Sequence, residues 1–472
     1  MRTLPVLVFL FSSFVAAASA QTGAPASPAS DAPVSPDAAA VNRFFAEALS
    51  HGAAYDNLRT LVSECPGRLS GSKSLERAVL WGQRTLTALG ADRVYLQDVM
   101  VPHWERGARE SVRLLPAQGN AVPLSAAALG GSVATPPGGL VAEVIELHSL
   151  DELAALGRDK LAGKIVFFNR PMDPALYSTG LAYGKAGDQR NRGPAAAAKY
   201  GVAAVLTRSL TLAHNDIPHT GTTVFPPDTP KIPAAALSTV AADRLSAALA
   251  TDPHLRVEVK IHAQWLPDAP SHNVIGEIRG SEFPNEVILV GGHLDSWDIA
   301  PGAHDDGAGI VQSIEVLRLF RALGLEPRHT IRCVLFVNEE NGSAGSAVYA
   351  SSAKTSGERH IFAIESDSGG FAPVGIQFGS TQGVEAHERA ARWLPLFQPW
   401  GVWRFVRGGA GADVSPLLLQ GVPAAELTPD SQRYFDIHHT AADGLDQVNP
   451  RELQLGAGTL ASLVWLVDTQ GL

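Results

Sequence analysis

Thiols are scarce in this chain: among 472 residues only Cys65 and Cys333 are cysteines. That excludes a cysteine-built metal site and a disulfide-stapled scaffold. Cys333 lies inside an apolar, strand-like run, so the two are read as separate thiols. Long apolar runs are scarce as well. The run from Leu4 to Ala17 is about 14 residues, short of the ~20 that span a bilayer. Set between Arg2 and the small-residue site Ala18-Ser19-Ala20, it reads as a secretory signal peptide over residues 1–20. Export to the periplasm or the extracellular space is expected, with no membrane attachment after cleavage. Basic blocks are missing too. Lys and Arg number 37 against 47 Asp and Glu, a formal net charge of −10, which excludes nucleic acid as a partner. No segment repeats at the period of about 20–50 residues that marks a solenoid.

What is present is an ordinary globular composition, 45% hydrophobic and 18% charged residues. A chain of this length exceeds one compact core, so two or more structural units are expected. Residues 21–36, rich in Ala, Pro, Ser and Asp, can bury little and read as a disordered linker. Helical patterning starts near Asp37, with Phe44, Phe45 and Leu49 on one face. Another helix runs from about Lys73 to Leu89, stopped by Gly90. From about Pro123 to Gln264 the texture changes to short strands, Gly/Pro turns and small helices. This stretch, 123–264, reads as a self-contained α/β insert in a main unit made of 37–122 and 265–472. From Asn273 onward strands and helices alternate, which predicts an α/β fold: a mostly parallel mixed sheet with helices on both faces. Val287-Ile288-Leu289-Val290 is apolar without interruption, as a strand buried on both faces requires. The last helix has a strong start signal, with Asn449 as cap, Pro450 at the first position and Glu452 three residues after the cap.

Three of these strands end in residues that bind metals. Val290 leads through two glycines to His293, Val337 through Asn338 to Glu339-Glu340, and Ile364 to Glu365-Ser366-Asp367. Ligands of open α/β sheets gather at the carboxyl ends of strands, so the three should converge. Asp305 and Asp306 follow the loop Pro301-Gly302-Ala303-His304, where the next helix begins, and His439 stands on a loop before the last helix. Imidazole and carboxylate without thiolate suit catalytic zinc. Three carboxylates with a bridging hydroxide balance two divalent ions, whereas a single ion would leave excess negative charge in one pocket.

The fragments His293-Leu294-Asp295-Ser296, Pro301-Gly302-Ala303-His304-Asp305-Asp306, Asn338-Glu339-Glu340-Asn341-Gly342, Glu365-Ser366-Asp367 and His439-Thr440 resemble the co-catalytic zinc exopeptidases related to bacterial leucyl aminopeptidase and glutamate carboxypeptidase. The resemblance covers roughly residues 40–470, and 123–264 resembles a protease-associated domain. It implies two zinc ions per chain, Asp305 bridging them. His293 and Asp367 would complete one site, Glu340 and His439 the other. Glu339 would act as general base and then acid on a metal-bridging hydroxide, and Asp295 would hold the second nitrogen of His293. A cis peptide between Asp305 and Asp306 is implied as well. The activity implied is hydrolysis of small peptides or dipeptides from one end. A glutaminyl cyclase-like acyl transfer and a non-catalytic receptor-like homologue are the alternatives.

Further candidates carry less chemistry. Asp413 matches a family position near the metals, and Tyr434 either reaches a tetrahedral intermediate or simply packs. His438 adjoins a ligand, and His304 is read as a neighbour. Arg208 and His219 of the insert are expected to meet a substrate terminus. Both directions of attack stay open: Arg433, Arg407 and Arg208 are available for a free carboxylate, Glu365 and Asp413 for a free amine. The expected partner is a small peptide, with self-association into a homodimer left open.

Overall fold

The computed structural model describes residues 35–379 and 386–472. The expected signal peptide, and the linker up to residue 34, lie outside these residues. Among these residues sixteen strands, β1 to β16 in chain order, form two eight-stranded sheets. The first runs β1 (Arg93–Glu105), β10 (Gln264–Ile278), β12 (His329–Phe336), β11 (Phe283–His293), β13 (Arg359–Glu365), β16 (Ala424–Pro429), β14 (Pro373–Gly379) and β15 (Arg404–Gly408). Its centre is parallel, with β12, β11, β13 and β16 in line, and antiparallel pairings flank it at β1, β10 and β14. This is the expected mixed α/β sheet.

Period-two alternation explains why the centre is apolar throughout. Ile288 and Val290 of β11, with Ile331, Cys333 and Leu335 of β12, face a core built by the helices Pro36–His51, Ala54–Glu64, Lys73–Ala88, Ala308–Ala322 and Pro450–Gln470. Leu289, Val334 and Phe336 face the opposite way, against Tyr349, Ala350, Val414 and Leu417. Each of these strand residues is fully buried, and truncating one such as Leu289 to Ala costs ~2–5 kcal/mol. The last helix starts as its sequence predicts: the Asn449 side chain accepts from the N–H groups of Arg451 and Glu452. Cys65 and Cys333 are both buried in the first core as free thiols.

The second sheet runs β3 (Val122–Leu124), β2 (Ser111–Leu115), β9 (Arg256–Lys260), β5 (Leu140–Leu147), β6 (Ile165–Phe168), β7 (Ala204–Arg208), β8 (Ala234–Leu237) and β4 (Ala126–Ala128). It begins at Ser111, ahead of the expected start near Pro123. The reason is β2, whose buried Val112 and Leu114 pair it antiparallel to both β3 and β9. The point of departure is clear in the register: β1 and β10 pair along their whole length, ending at Glu105 opposite Gln264. The chain leaves the first sheet on β1 and returns on β10. Among the described residues no helix is long and apolar enough to cross a membrane.

Candidate metal centre

β11, β12 and β13 run side by side and parallel, so the residues that follow them share one edge of the sheet. His293 closes β11, Glu339 and Glu340 follow β12, and Asp367 follows β13. Asp305 arrives on a tight turn, Ala303–Gly307, entered through Gly302 in the left-handed conformation (φ 69°), and the Asp305–Asp306 bond is cis. Two buried groups hold this turn. The Asp443 carboxylate accepts from the N–H of His304 at 2.7 Å and of Asp305 at 3.1 Å, and the Arg68 guanidinium donates to the carbonyls of Leu294, Pro301 and Gly302. The Asp306 carboxylate accepts from the N–H groups of His293 and Gly309 and lies within 4.8 Å of the ligand atoms of His293 and Asp367. A side chain at Gly309 has no room, since its Cβ would lie 1.8 Å from the Ser366 carbonyl.

The five residues expected to bind metal come together. His293 Nε2 lies 3.3 Å from Asp305 Oδ1 and 3.3 Å from Asp367 Oδ1. His439 Nε2 lies 3.3 Å from Asp305 Oδ2 and 3.2 Å from Glu340 Oε2. Asp305 thus stands between two pairs. Ligand atoms around a tetrahedral ion with bonds of ~2.0–2.1 Å are separated by about 3.3 Å, so the spacing fits zinc. Asp305 Oδ2 and Glu340 Oε1 are buried without a hydrogen bond, oxygens left over for a cation.

Electrostatics point the same way. Burial works against a charged His293, but Asp367 and Asp305 outweigh it and hold its pKa well above the ordinary value. The same holds for His439, where Glu340 and Asp305 overcome burial. Burial also pushes the Glu340 carboxyl up to about 7, with the Asp305 charge adding to it. The cluster draws positive charge to itself. Glu339 has its carboxyl held well above the carboxylate range by burial, with Asp367 and Glu340 contributing.

Each imidazole presents Nε2 because Nδ1 is taken. His439 Nδ1 donates to the Thr220 carbonyl at 3.3 Å, and Thr220 N–H returns a bond to the His439 carbonyl at 3.0 Å. His293 Nδ1 donates to the backbone carbonyl of Asp295 at 3.1 Å. This corrects the expected role of the Asp295 side chain, which lies 3.9 Å from that nitrogen. Its carboxylate is turned to β12 and accepts from the N–H groups of Glu339 at 3.1 Å and Glu340 at 3.3 Å.

The remaining candidates divide. His219 is buried at the cluster's rim, its Nδ1 donating to the His438 carbonyl at 2.8 Å, and burial lowers its pKa to about 3. Tyr434 is buried against His438, with ring centres 4.9 Å apart. Asp413 is buried behind Asp367, its carboxyl raised to about 7 by burial, and its N–H donates to Glu365. His304 stacks on Phe371 and accepts from Gly370 N–H, a neighbour as expected. Arg208 is drawn to Asp243 at 2.6 Å and to Asn169, partners within the second unit, instead of to the cluster. His438, adjoining a ligand and weighed for a direct catalytic role, has Nε2 3.4 Å from Asp305 Oδ2 and stacks on His439 at 3.6 Å. The adjacent pair His438-His439 was the signal for it in the sequence. Arg68, Thr220 and Asp443 had no role assigned from the sequence, because each meets the site only through the fold.

Residues 273–464 match the model of peptidase family M28. Over 413 residues the chain is 37% identical to carboxypeptidase Q of Bos taurus, covering 88% of this chain and 84% of that protein. The stretches His293–Asp298, Pro218–Gly221 and Arg68–Ser72 resemble this protein, also called plasma glutamate carboxypeptidase. The crystal structure of a peptidase M28 precursor from Shewanella amazonensis superposes with a TM-score of 0.87 at 33% identity, over 92% of this chain and 97% of that one. A zinc aminopeptidase from Bacillus subtilis shares the fold at a TM-score of 0.63 and 19% identity, over 87% and 94%. The chain belongs to peptidase family M28.

Proposed function

We propose that this protein is an exported zinc-dependent exopeptidase that hydrolyses small peptides or dipeptides. His293 and Asp367 would hold one ion and Glu340 and His439 a second, with Asp305 shared between them. Zinc held there would supply a nucleophile near neutral pH and polarise the scissile carbonyl. The chain's own residues do the rest. Glu339 would take a proton from the attacking water on its carboxylate and return it to the leaving nitrogen. Asp295 fixes the backbone of the Glu339-Glu340 pair, so base and ligand move as one unit. The second unit closes over the loop of His438 and His439 through His219 and Thr220, and thereby keeps chain interiors out.

The observation that carries this reading is the spacing. Side chains from five separate segments place their ligand atoms 3.2–3.3 Å apart around buried carboxylate oxygens that accept no hydrogen bond. A receptor-like homologue would not need that set complete, and a cyclase would not need a second ion. The test is a series of dipeptides blocked at the amine, at the carboxylate or at neither, assayed with zinc and with a chelator. An N-terminal-glutamine peptide run alongside reports cyclisation. Hydrolysis at one end that vanishes with the chelator is expected. Pyroglutamate as the sole product, or no turnover of any peptide with zinc present, contradicts the reading.

A further inference from the structure

A buried guanidinium without a counter-charge is unstable, so each buried arginine is expected to have found a partner. Arg68 has three carbonyls, Arg106 is clasped by Asp298 and Glu110, and Arg332 by Glu277 and Glu358. Arg190, on the second unit, is different. It is 8% exposed, and among the described residues it has no ion-pair partner. Its neighbour Asp188 is engaged by Arg170 and Arg192. Arg190 Nε is buried with no acceptor, and Nη1 makes a single long bond of 3.4 Å to the Thr220 carbonyl. Shape holds the group in place. Its central carbon lies 5.2 Å from the centre of the Tyr183 ring, and its other side presses on Gly221, where a Cβ would lie 2.5 Å from that carbon.

Its place in the fold gives this cation a use. The Thr220 carbonyl that takes Arg190 Nη1 also takes His439 Nδ1, at 3.3 Å. Tyr183, against the guanidinium, stands edge-on to His438 with ring centres 5.2 Å apart. The arginines that the sequence offered for a free carboxylate each have a carboxylate already: Arg208 has Asp243, Arg407 has Glu388 and Arg433 has Glu452.

We propose that Arg190 receives the free C-terminal carboxylate of the peptide substrate, which makes it a specificity-determining residue supplied by the second unit. The inference rests on the peptidase reading above and gives it a direction. The guanidinium shares the Thr220 carbonyl with His439 and shares Tyr183 with His438, which sets this receptor for a carboxylate beside the cluster. The bond cut is then the last one, as in a carboxypeptidase or a dipeptidase. A planar guanidinium with two free N–H directions also suits a carboxylate better than a lysine would.

The test compares Ala-Ala with its C-terminal amide on the zinc-loaded full chain. The wild type should prefer the free acid, and Arg190→Gln should lower kcat/KM for Ala-Ala by roughly ten- to a hundredfold, mainly through KM. The amide should lose far less, and Arg190→Lys should recover part of the preference. Calorimetry reads the same contact without turnover: in zinc-loaded Glu339→Gln protein, adding Arg190→Gln should weaken Ala-Ala binding by a similar factor at unchanged zinc content. An acid-to-amide preference that survives Arg190→Gln overturns the proposal. So does an equal loss on both substrates, which would mark Arg190 as a brace for the Thr220 loop, or a wild type indifferent to the amide. If the wild type turns over neither substrate, the peptidase reading fails, and the calorimetric comparison still decides Arg190: unchanged or absent Ala-Ala binding refutes it.

Discussion

Around Arg332 and around Asp305, the same central strands carry two buried polar clusters. In the first, Arg332 of β12 donates to Glu277 of β10 at 2.8 Å, to Glu358 at 2.9 Å and to the Tyr349 hydroxyl at 3.0 Å, and that hydroxyl meets His360 Nε2 at 2.8 Å. Every charge there has an opposite charge beside it. In the second, Asp305, Glu340, Asp367 and Glu339 gather around His293 and His439 with no arginine or lysine among them. The outcomes are opposite: one set is complete, and in the other the carboxylates hold both imidazoles well above their ordinary pKa. A buried carboxylate cluster that its own protein leaves uncompensated marks a ligand, and a compensated one marks structure.

Substitutions should separate the two by what they change. In the Asp305 cluster, Glu340→Gln removes a ligand and should lower zinc content and abolish turnover. Glu339→Gln should keep the zinc and lower kcat by ~10²–10⁴. Near-normal turnover of Glu339→Gln would refute its role as base, and full zinc content in Glu340→Gln would refute its role as ligand. In the Arg332 cluster, Arg332→Met strands the buried Glu277 carboxylate and leaves the half-buried Glu358 unpaired, and should cost ~3–5 kcal/mol in urea unfolding, with zinc content unchanged. A loss under 1 kcal/mol would mean that the comparison is drawn too sharply (taking ~1 kcal/mol as the centre of ordinary mutational effects).

A cation should matter for stability in one cluster only. With zinc free at a hundredfold over its dissociation constant, the folded state gains ~2.7 kcal/mol per site, so a chelator should lower Tm and zinc restore it. An unchanged Tm would argue against a bound ion. The smallest effect concerns His360. Burial, with Arg332 nearby, lowers its pKa from 6.5 to about 4. The unfolded chain therefore binds more protons between those values, and stability falls as the pH drops from 6.5 towards 4. His360→Gln should flatten that part of the profile of urea midpoint against pH, and an unaltered slope would show that other groups set it.

The strand ends were legible in the sequence because a parallel sheet puts them on one edge whatever the details of packing. His293, Glu340 and Asp367 each follow an apolar run, and that alone predicted their convergence. What closes the site was not legible. Thr220 meets His439, and Arg190 meets Thr220, across a separation that only the second sheet's docking brings together. Asp295 shows a finer limit: two residues from His293, it can offer either its carboxylate or its carbonyl, and spacing does not choose between them. The start of the second sheet was missed for a similar reason. β2 is five residues long, and its partner β9 lies far along the chain.

The claim on which the rest depends is that the Asp305 cluster is a two-ion site. Elemental analysis of the purified protein, paired with a dipeptide assay before and after chelation, tests it most directly. About two zinc per chain, activity lost with the metal and regained on adding zinc, is the expected result. Full activity in protein stripped of metal, or saturation at one zinc per chain with full activity, would contradict it.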